Sequence, residues 1–150
     1  KKLLHGIVAI VFIGPREEAS TTIGKIEGHL GKDVALPIMK PGNSLAWGFD
    51  GTDLVKNSYG IFEPMPAEID IATASAILIP ALRVGRDGSR LGRGAGYYDR
   101  ALAKVPAHAN GGPIRICLVF DDEVDESVPS EPHDALIDLI VNPSQVIQVN

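Results

Sequence analysis

The chain has 150 residues, of which 45% are hydrophobic and 22% charged, and this composition predicts one globular domain with a buried core. Its formal net charge of −5 argues against a general nucleic-acid-binding protein, because phosphate backbones select basic surfaces. The single cysteine, Cys117, excludes an intrachain disulfide and a site built from several thiolates of this chain. We expect Cys117 to be a buried, inert thiol, since it lies in the apolar run "IRICLVF".

The first element in chain order is the apolar run "GIVAIVFI" (residues 6–13). Two lysines precede it, as in a secretory signal, but the run is far shorter than the roughly 20 residues that cross a bilayer, and no small-residue cleavage pattern follows. We therefore predict a buried strand and no membrane segment. The next segment, residues 18–32, has apolar side chains at helical spacing (Ile23, Ile26 and Leu30) and predicts a helix.

The rest of the chain continues this alternation of strands and helices. A hairpin or meander with an Asp-Gly turn at Asp50 and Gly51 is predicted over residues 44–55. The predicted strands are "DVALPIM" (33–39), "AILIPAL" (76–82), "IRICLVF" (114–120) and "ALIDLIV" (135–141), and "YYDRALAKV" (97–105) is a predicted helix. The pattern predicts a single three-layer α/β domain with a mostly parallel, Rossmann-like sheet, helices on both faces and ligands beyond the carboxyl ends of the strands.

One stretch, "GSRLGRGAGYYDRAL" (88–102), combines glycines with arginines where the chain leaves a predicted strand and enters a predicted helix. Glycines let an anion approach the backbone, a helix N-terminus carries partial positive charge, and Arg90 and Arg93 would add fork-shaped donors. The spacing of Gly92, Gly94 and Gly96 matches neither the dinucleotide fingerprint nor the P-loop. The stretch therefore predicts an anion site of another kind, with a ligand-free glycine-rich connection as the alternative.

These residues resemble the signature of the 5-formyltetrahydrofolate cyclo-ligase family, approximately R-L-G-[YR]-G-x-G-Y-Y-D. Further stretches are similar to the family in the same order along the chain: "VFIGPREEAST", "VALPIM", "YGIFEP", "ILIPAL" and "EPHDALID". Arg93 and Ala95 stand where many relatives have Tyr and Gly. The resemblance implies an enzyme that uses ATP and Mg²⁺ to close 5-formyltetrahydrofolate to 5,10-methenyltetrahydrofolate, releasing ADP and phosphate.

The resemblance also implies roles for individual residues. The residues expected to bind the nucleotide are Arg90, Leu91, Gly92, Arg93, Gly94, Ala95, Gly96, Tyr97 and Tyr98. Within this set, Arg93 and Tyr98 are expected to be catalytic. Asp99 and Asp134 match the family's magnesium positions, and Glu18, Tyr59 and Met39 match positions that contact the folate.

Several of these residues have a simpler interpretation. Asp99 could stabilise the helix dipole, and Asp134 could cap a turn. Tyr97 and Tyr98 could pack as two faces of the helix, and Glu18 could belong to a solvated first turn. For the whole chain, the alternatives are a non-catalytic nucleotide-binding module of the same fold and an enzyme of the sugar-phosphate isomerase or coenzyme A transferase type.

The resemblance has consequences for the chain as a whole. Family members usually begin with a basic helix that reaches the ATP phosphates, whereas this sequence begins immediately before the first predicted strand. We therefore expect residues 1–150 to form one cyclo-ligase domain without that helix. We also expect a cytoplasmic monomer of one-carbon metabolism whose partner is its small-molecule substrate, and not a nucleic acid or a membrane.

Overall fold

The computed structural model describes residues 8–9, 34–49, 53–92 and 94–149. Several predictions fall outside these ranges: the helix over 18–32, most of the strand over 6–13, the turn at Asp50 and Gly51, and the roles of Glu18 and Arg93. The strands in chain order are β1 Val8–Ala9, β2 Val34–Lys40, β3 Ser44–Phe49, β4 Val55–Lys56, β5 Phe62–Glu63, β6 Ala76–Leu78, β7 Arg83–Gly85, β8 Arg90–Leu91, β9 Ile114–Leu118, β10 Val124–Asp125, β11 Leu139–Val141 and β12 Val146–Gln148. Helix α1 spans Tyr97–Leu102, and 3₁₀ helices span Ile71–Thr73, His108–Asn110 and Asp121–Glu123.

The main sheet has seven strands in the order β12-β11-β9-β6-β1-β2-β3. Its five inner strands run parallel to one another, and the two edge strands, β12 and β3, are antiparallel to their neighbours. A three-stranded sheet (β10-β7-β8) and a two-stranded sheet (β4-β5) accompany it. The prediction of a mostly parallel sheet is confirmed for this part of the chain.

The inner strands carry the core. Ile77 of β6, Cys117 of β9 and Ile140 of β11 are completely buried in one cluster, while Ala76 packs in a second cluster with Ile114 and Ile116. Successive side chains of a strand point to opposite faces, so both faces of β6 and β9 are covered. That double burial explains why these strands are continuous apolar runs in the sequence.

The predicted hairpin over residues 44–55 is wrong. Strand β3 pairs with β2, from Ala35 opposite Phe49 to Lys40 opposite Ser44, and β4 pairs with β5 instead. The reason is the turn at residues 41–43, where Gly42 and Asn43 have φ of 77° and 54°. Glycine and asparagine adopt this left-handed conformation more readily than other residues do, so this turn, and not Asp50-Gly51, joins the paired strands.

Two other elements differ from the prediction. Residues 83–96, which connect the predicted strand over 76–82 to the predicted helix over 97–105 and were expected to form a loop, contain the antiparallel pair β7 and β8. Helix α1 ends at Leu102, three residues before its predicted end. Pro106 accounts for the last of these residues, because it disfavours helical conformation at Val105. Over the described ranges the chain has a mixed α/β fold.

None of the helices in these ranges is long and apolar enough to cross a membrane.

Candidate functional site

The glycine-rich loop, residues 92–96, joins β8 to α1. Gly94 and Gly96 have φ of 90° and 75°, a conformation that residues with a Cβ atom adopt at a cost. Apart from its chain neighbours, a Cβ built on Gly94 would meet no atom of the described residues within 4 Å, and both Gly94 and Ala95 are exposed. The loop thus places a glycine and an alanine at the surface, with little side chain to cover the backbone between them.

Arg90 lies beneath this loop and faces inward. Its side chain is only 6% exposed, and its Nη2 donates to both carboxylate oxygens of Asp99, at 3.0 and 3.1 Å. Its Nη1 donates to the Pro80 carbonyl at 3.0 Å, and its Nε has no hydrogen-bond partner within the described part of the chain. Arg90 therefore ties the two ends of the loop to the end of β6, and most of its donors are engaged within the protein.

The two aspartates that match magnesium positions come close together. The Ala135 N–H, next to Asp134 in the chain, donates to Asp99 Oδ1 at 3.2 Å. Asp134 Oδ2 accepts the Glu131 N–H at 2.7 Å, so Asp134 does cap a turn, and each aspartate side chain is 22% exposed. Within the described residues no group of three or more His, Cys, Asp or Glu side chains could hold a metal ion.

Tyr98 points into the core. It is 7% exposed, and its ring packs edge-to-face on Trp47 with centroids 6.5 Å apart. Its hydroxyl has no hydrogen-bond partner among the residues that the structure describes. Burial raises the pKa of Tyr98 well above its usual value, so the phenol stays protonated. Tyr97 is partly buried against the same cluster. This packing agrees with the alternative interpretation of the two tyrosines, and their nucleotide role stays a prediction.

The folate-matching residues Met39 and Tyr59 lie near each other at the end of β2. The Met39 N–H donates to Glu63 Oε2 at 2.7 Å, and Asn57 Nδ2 lies 3.5 Å from the Met39 sulfur. Tyr59 is 73% exposed, so its ring is available for stacking. Two segments predicted only by resemblance therefore meet in the structure.

Asn57 and Glu63 are residues that the sequence reasoning missed. Asn57 Oδ1 accepts the N–H groups of Tyr59 and Ile61, at 2.9 and 3.0 Å, and its backbone bonds to Gly60 and Ile61 close the same turn. Glu63 connects that segment to β2. The signal was present in "NSYGIFEP", because asparagine at the first and glycine at the fourth position favour a turn, and the asparagine side-chain oxygen can accept backbone N–H groups within it.

Residues 7–143 match the family model "5-formyltetrahydrofolate cyclo-ligase family". The chain belongs to the 5-formyltetrahydrofolate cyclo-ligase family. Its glycine-rich loop, Arg90, Asp99 and Asp134 lie within the matched range, as do Met39 and Tyr59.

Curated relatives carry the family's name. The chain is 40% identical over 129 residues to the 5-formyltetrahydrofolate cyclo-ligase of Mycolicibacterium smegmatis, covering 79% of this chain and 64% of that relative. It is 35% identical over 113 residues to the mitochondrial cyclo-ligase of Arabidopsis thaliana, covering 65% of this chain and 41% of that protein. The chain thus spans less than two thirds of the length of these relatives.

A solved structure shares the fold. The structure of Aquifex aeolicus 5,10-methenyltetrahydrofolate synthetase superposes with a TM-score of 0.73 at 22% identity, covering 99% of this chain and 73% of the other. At this level of identity the likeness concerns the fold alone. The mixed α/β architecture of this cyclo-ligase family member is therefore that of methenyltetrahydrofolate synthetases.

Proposed function

We propose that this chain catalyses the ATP- and Mg²⁺-dependent cyclisation of 5-formyltetrahydrofolate to 5,10-methenyltetrahydrofolate, with ADP and phosphate as the other products. The observation that carries the proposal is the family match over residues 7–143, which includes a loop of bare backbone at the position of the family signature. The ATP-dependent reaction, unlike family membership, is an inference from the relatives.

The reaction would proceed in two balanced steps. The formyl oxygen attacks the γ-phosphorus of ATP, a P–O bond forms, and ADP leaves with the electrons of the broken P–O bond. The N10 amine then attacks the activated formyl carbon, forming a C–N bond; N10 loses its proton, and phosphate departs with the former formyl oxygen. Phosphoryl transfer needs positioning and charge neutralisation more than a protein nucleophile.

The glycine-rich loop would supply the positioning. Its exposed backbone at Gly94 and Ala95 can approach phosphate oxygens, and Arg93, which lies outside the described residues, would add a cationic donor. Arg90 is engaged with Asp99 and Pro80, so we assign it the task of fixing the loop. Tyr98, the other residue expected to be catalytic, would act mainly by packing helix α1 against the core.

Asp99 and Asp134 fit a magnesium ion that takes most of its ligands from water and phosphate. A carboxylate offers about four lone-pair sites, and Asp99 already accepts from Arg90 and Ala135. Each aspartate could therefore contribute one oxygen, which is the usual protein share of an octahedral Mg²⁺ site at phosphates. When bound, Mg²⁺ would neutralise charge that develops on the phosphate oxygens.

The folate would lie beside Met39 and Tyr59. The exposed Tyr59 ring can stack on a flat pterin, and Met39 can contact it with a polarizable side chain. We also propose a contact from Glu18, outside the described residues, to N–H donors of the pterin. The finer expectations, a three-layer domain and a cytoplasmic monomer, remain part of this proposal.

The test is the near-ultraviolet absorbance of the methenyl product after mixing the chain with 5-formyltetrahydrofolate, Mg²⁺ and ATP. We expect growth of that band only when ATP is present. The Arg93→Ala variant should lose most of the turnover, whereas Arg86→Ala, which removes an exposed arginine paired with Glu126 at 3.6 Å, should retain it.

The same mixture distinguishes the alternative. ATP binding, measured by calorimetry, without product would indicate a non-catalytic nucleotide-binding module. Absence of both ATP binding and product from the folded chain would contradict the proposed function.

A further inference from the structure

The turn between β2 and β3 touches the glycine-rich loop. Asn43 Nδ2 donates to the Ala95 carbonyl at 3.0 Å, across 52 residues of sequence. Arg100 Nη1 of helix α1 donates to the same carbonyl at 3.1 Å. The Ala95 carbonyl of this exposed loop is therefore held by two donors, one from the turn between β2 and β3 and one from helix α1.

The conformation of Asn43 is unusual for a residue with a side chain. Its φ of 54° makes it the one non-glycine residue with positive φ among those the structure describes. This backbone conformation costs free energy and persists only where the surrounding structure holds it, and asparagine tolerates the left-handed region better than most residues do. In this conformation the Asn43 side-chain amide points to the glycine-rich loop and donates to the Ala95 carbonyl.

The loop needs such support because its own backbone is permissive. Gly94 and Gly96 both have positive φ, and glycine has access to more conformations than any other residue. A Cβ at Gly94 would meet no atom of the described residues within 4 Å apart from its chain neighbours, so the described part of the chain does not restrain that position by packing. The bonds to the Ala95 carbonyl lie midway between these two glycines.

We propose that Asn43 is a positioning residue for the glycine-rich loop: it holds the Ala95 carbonyl so that the backbone of Gly94 to Gly96 keeps a shape fit for a triphosphate. Asn43 itself does not contact the nucleotide in this proposal. The part that concerns ATP rests on the proposed function, whereas the restraint of the loop does not.

Two substitutions separate the side chain from the turn. Asn43→Gly keeps the positive φ without strain and removes the amide donor. Asn43→Asp keeps the size of the side chain and its tolerance of this φ, but places an acceptor against the Ala95 carbonyl. Ser44→Ala is the matched control, because it removes a hydrogen bond inside the same turn, from Ser44 Oγ to the Pro41 carbonyl at 3.0 Å, and leaves Asn43 in place.

The first measurement is the NMR order parameter of the Gly94, Ala95 and Gly96 amides in the ligand-free protein. We expect lower order parameters in both Asn43 variants, a further decrease when Arg100→Gln is added, and parental values in Ser44→Ala. Parental values in both Asn43 variants would overturn the proposal, whether or not the chain is an enzyme.

The second measurement is ATP affinity by calorimetry. We expect binding to weaken about three- to tenfold in the Asn43 variants, the size of effect that one lost hydrogen bond produces, with 5-formyltetrahydrofolate affinity unchanged. A mobile loop with unchanged ATP affinity would overturn the nucleotide part of the proposal. A parent chain that binds no ATP would overturn the proposed function, and the order parameters would still decide whether Asn43 restrains the loop.

Discussion

The two sides of the candidate site are held by different forces. On the proposed nucleotide side, a largely buried ion pair between Arg90 and Asp99 fixes the base of the glycine-rich loop. On the proposed folate side, Asn57 Oδ1 accepts the N–H bonds that shape the turn carrying Tyr59, and the Glu63 carboxylate links this segment to β2. Removing one partner of a buried ion pair costs more unfolding free energy than removing one neutral hydrogen-bonding group from a turn. The two sides should therefore respond differently to substitution.

The largest effect is expected for Arg90→Met. This change leaves the Asp99 carboxylate partly buried without its cation, and we expect unfolding free energy to fall by about 3 kcal/mol, the lower end for broken buried pairs because Asp99 keeps some solvent contact. The measurement is urea unfolding followed by circular dichroism.

A second arginine–aspartate pair supplies the control for that experiment. Arg83 Nε donates to Asp125 at 2.7 Å, but the side chains are 42% and 38% exposed. Solvent screens such a pair, so Arg83→Met should destabilise the protein much less than Arg90→Met. Equal losses in the two variants would show that burial of the Arg90 pair is not what holds the nucleotide side.

The next effect concerns the folate side. Asn57→Ala removes the acceptor of two N–H bonds, and we expect a loss of about 1 kcal/mol in unfolding free energy. Because the turn presents Tyr59, folate affinity should also weaken, by about three- to tenfold, with ATP affinity unchanged.

Asn142→Ala is the matched control for Asn57→Ala. Asn142 Oδ1 accepts the N–H groups of Ser144 and Gln145 in a similar turn, before edge strand β12. A similar loss of stability with unchanged folate affinity is expected there. Equal folate affinities in the two variants would remove Asn57 from the folate side.

These contrasts also explain what the sequence could and could not predict. Strands β6, β9 and β11 were predictable because burial on both faces requires continuous apolar runs. The pattern of predicted elements also placed the glycine-rich loop directly before a helix, which α1 confirms. The pair β7 and β8 was missed because strands of three and two residues are too short to show alternation.

The orientation of individual side chains was less predictable. Arg90 faces inward because Asp99 and the Pro80 carbonyl, nine and ten residues away, provide partners there, and spacing alone does not distinguish this from a solvent-facing arginine. Met39 and Glu63 are separated by 24 residues, so their contact depends on the fold. Resemblance indicated Met39 and Tyr59, but not the residues that hold them in place.

A smaller effect is expected at acid pH. The hydrogen bond from Arg83 lowers the pKa of Asp125 below its ordinary value of 3.8, so the unfolded chain takes up this proton at a higher pH than the folded protein does. The stability that the pair contributes is present above pH 3.8 and is lost as the pH falls through the lowered pKa.

Substitution of either partner tests this acid sensitivity. Asp125→Asn and Arg83→Met should each make stability fall less steeply below pH 4, measured by urea unfolding at successive pH values, and the double variant should add nothing further. If the effects of the two substitutions on the pH dependence of stability add in the double variant, Arg83 and Asp125 act independently of each other. Exposed charges would then also influence the acid stability of β7 and β10 individually.

The finest test of the comparison is the rate at which Cys117, completely buried in the core cluster that also contains Tyr98, reacts with a thiol reagent. Burial raises the pKa of its thiol to about 12, and Arg90 opposes that shift, so the native thiol should react with a disulfide reagent at pH 8 only when the sheet opens. Arg90→Met should accelerate this labelling at a reagent concentration that leaves Asn57→Ala at nearly the parental rate, because only the first variant releases the base of the glycine-rich loop.

If both variants are first made equally stable with an osmolyte, any remaining difference in rate reports local opening and not global unfolding. Equal rates under that condition would mean that the two sides open together, and the ion pair would then stabilise the whole fold and not one side of the site.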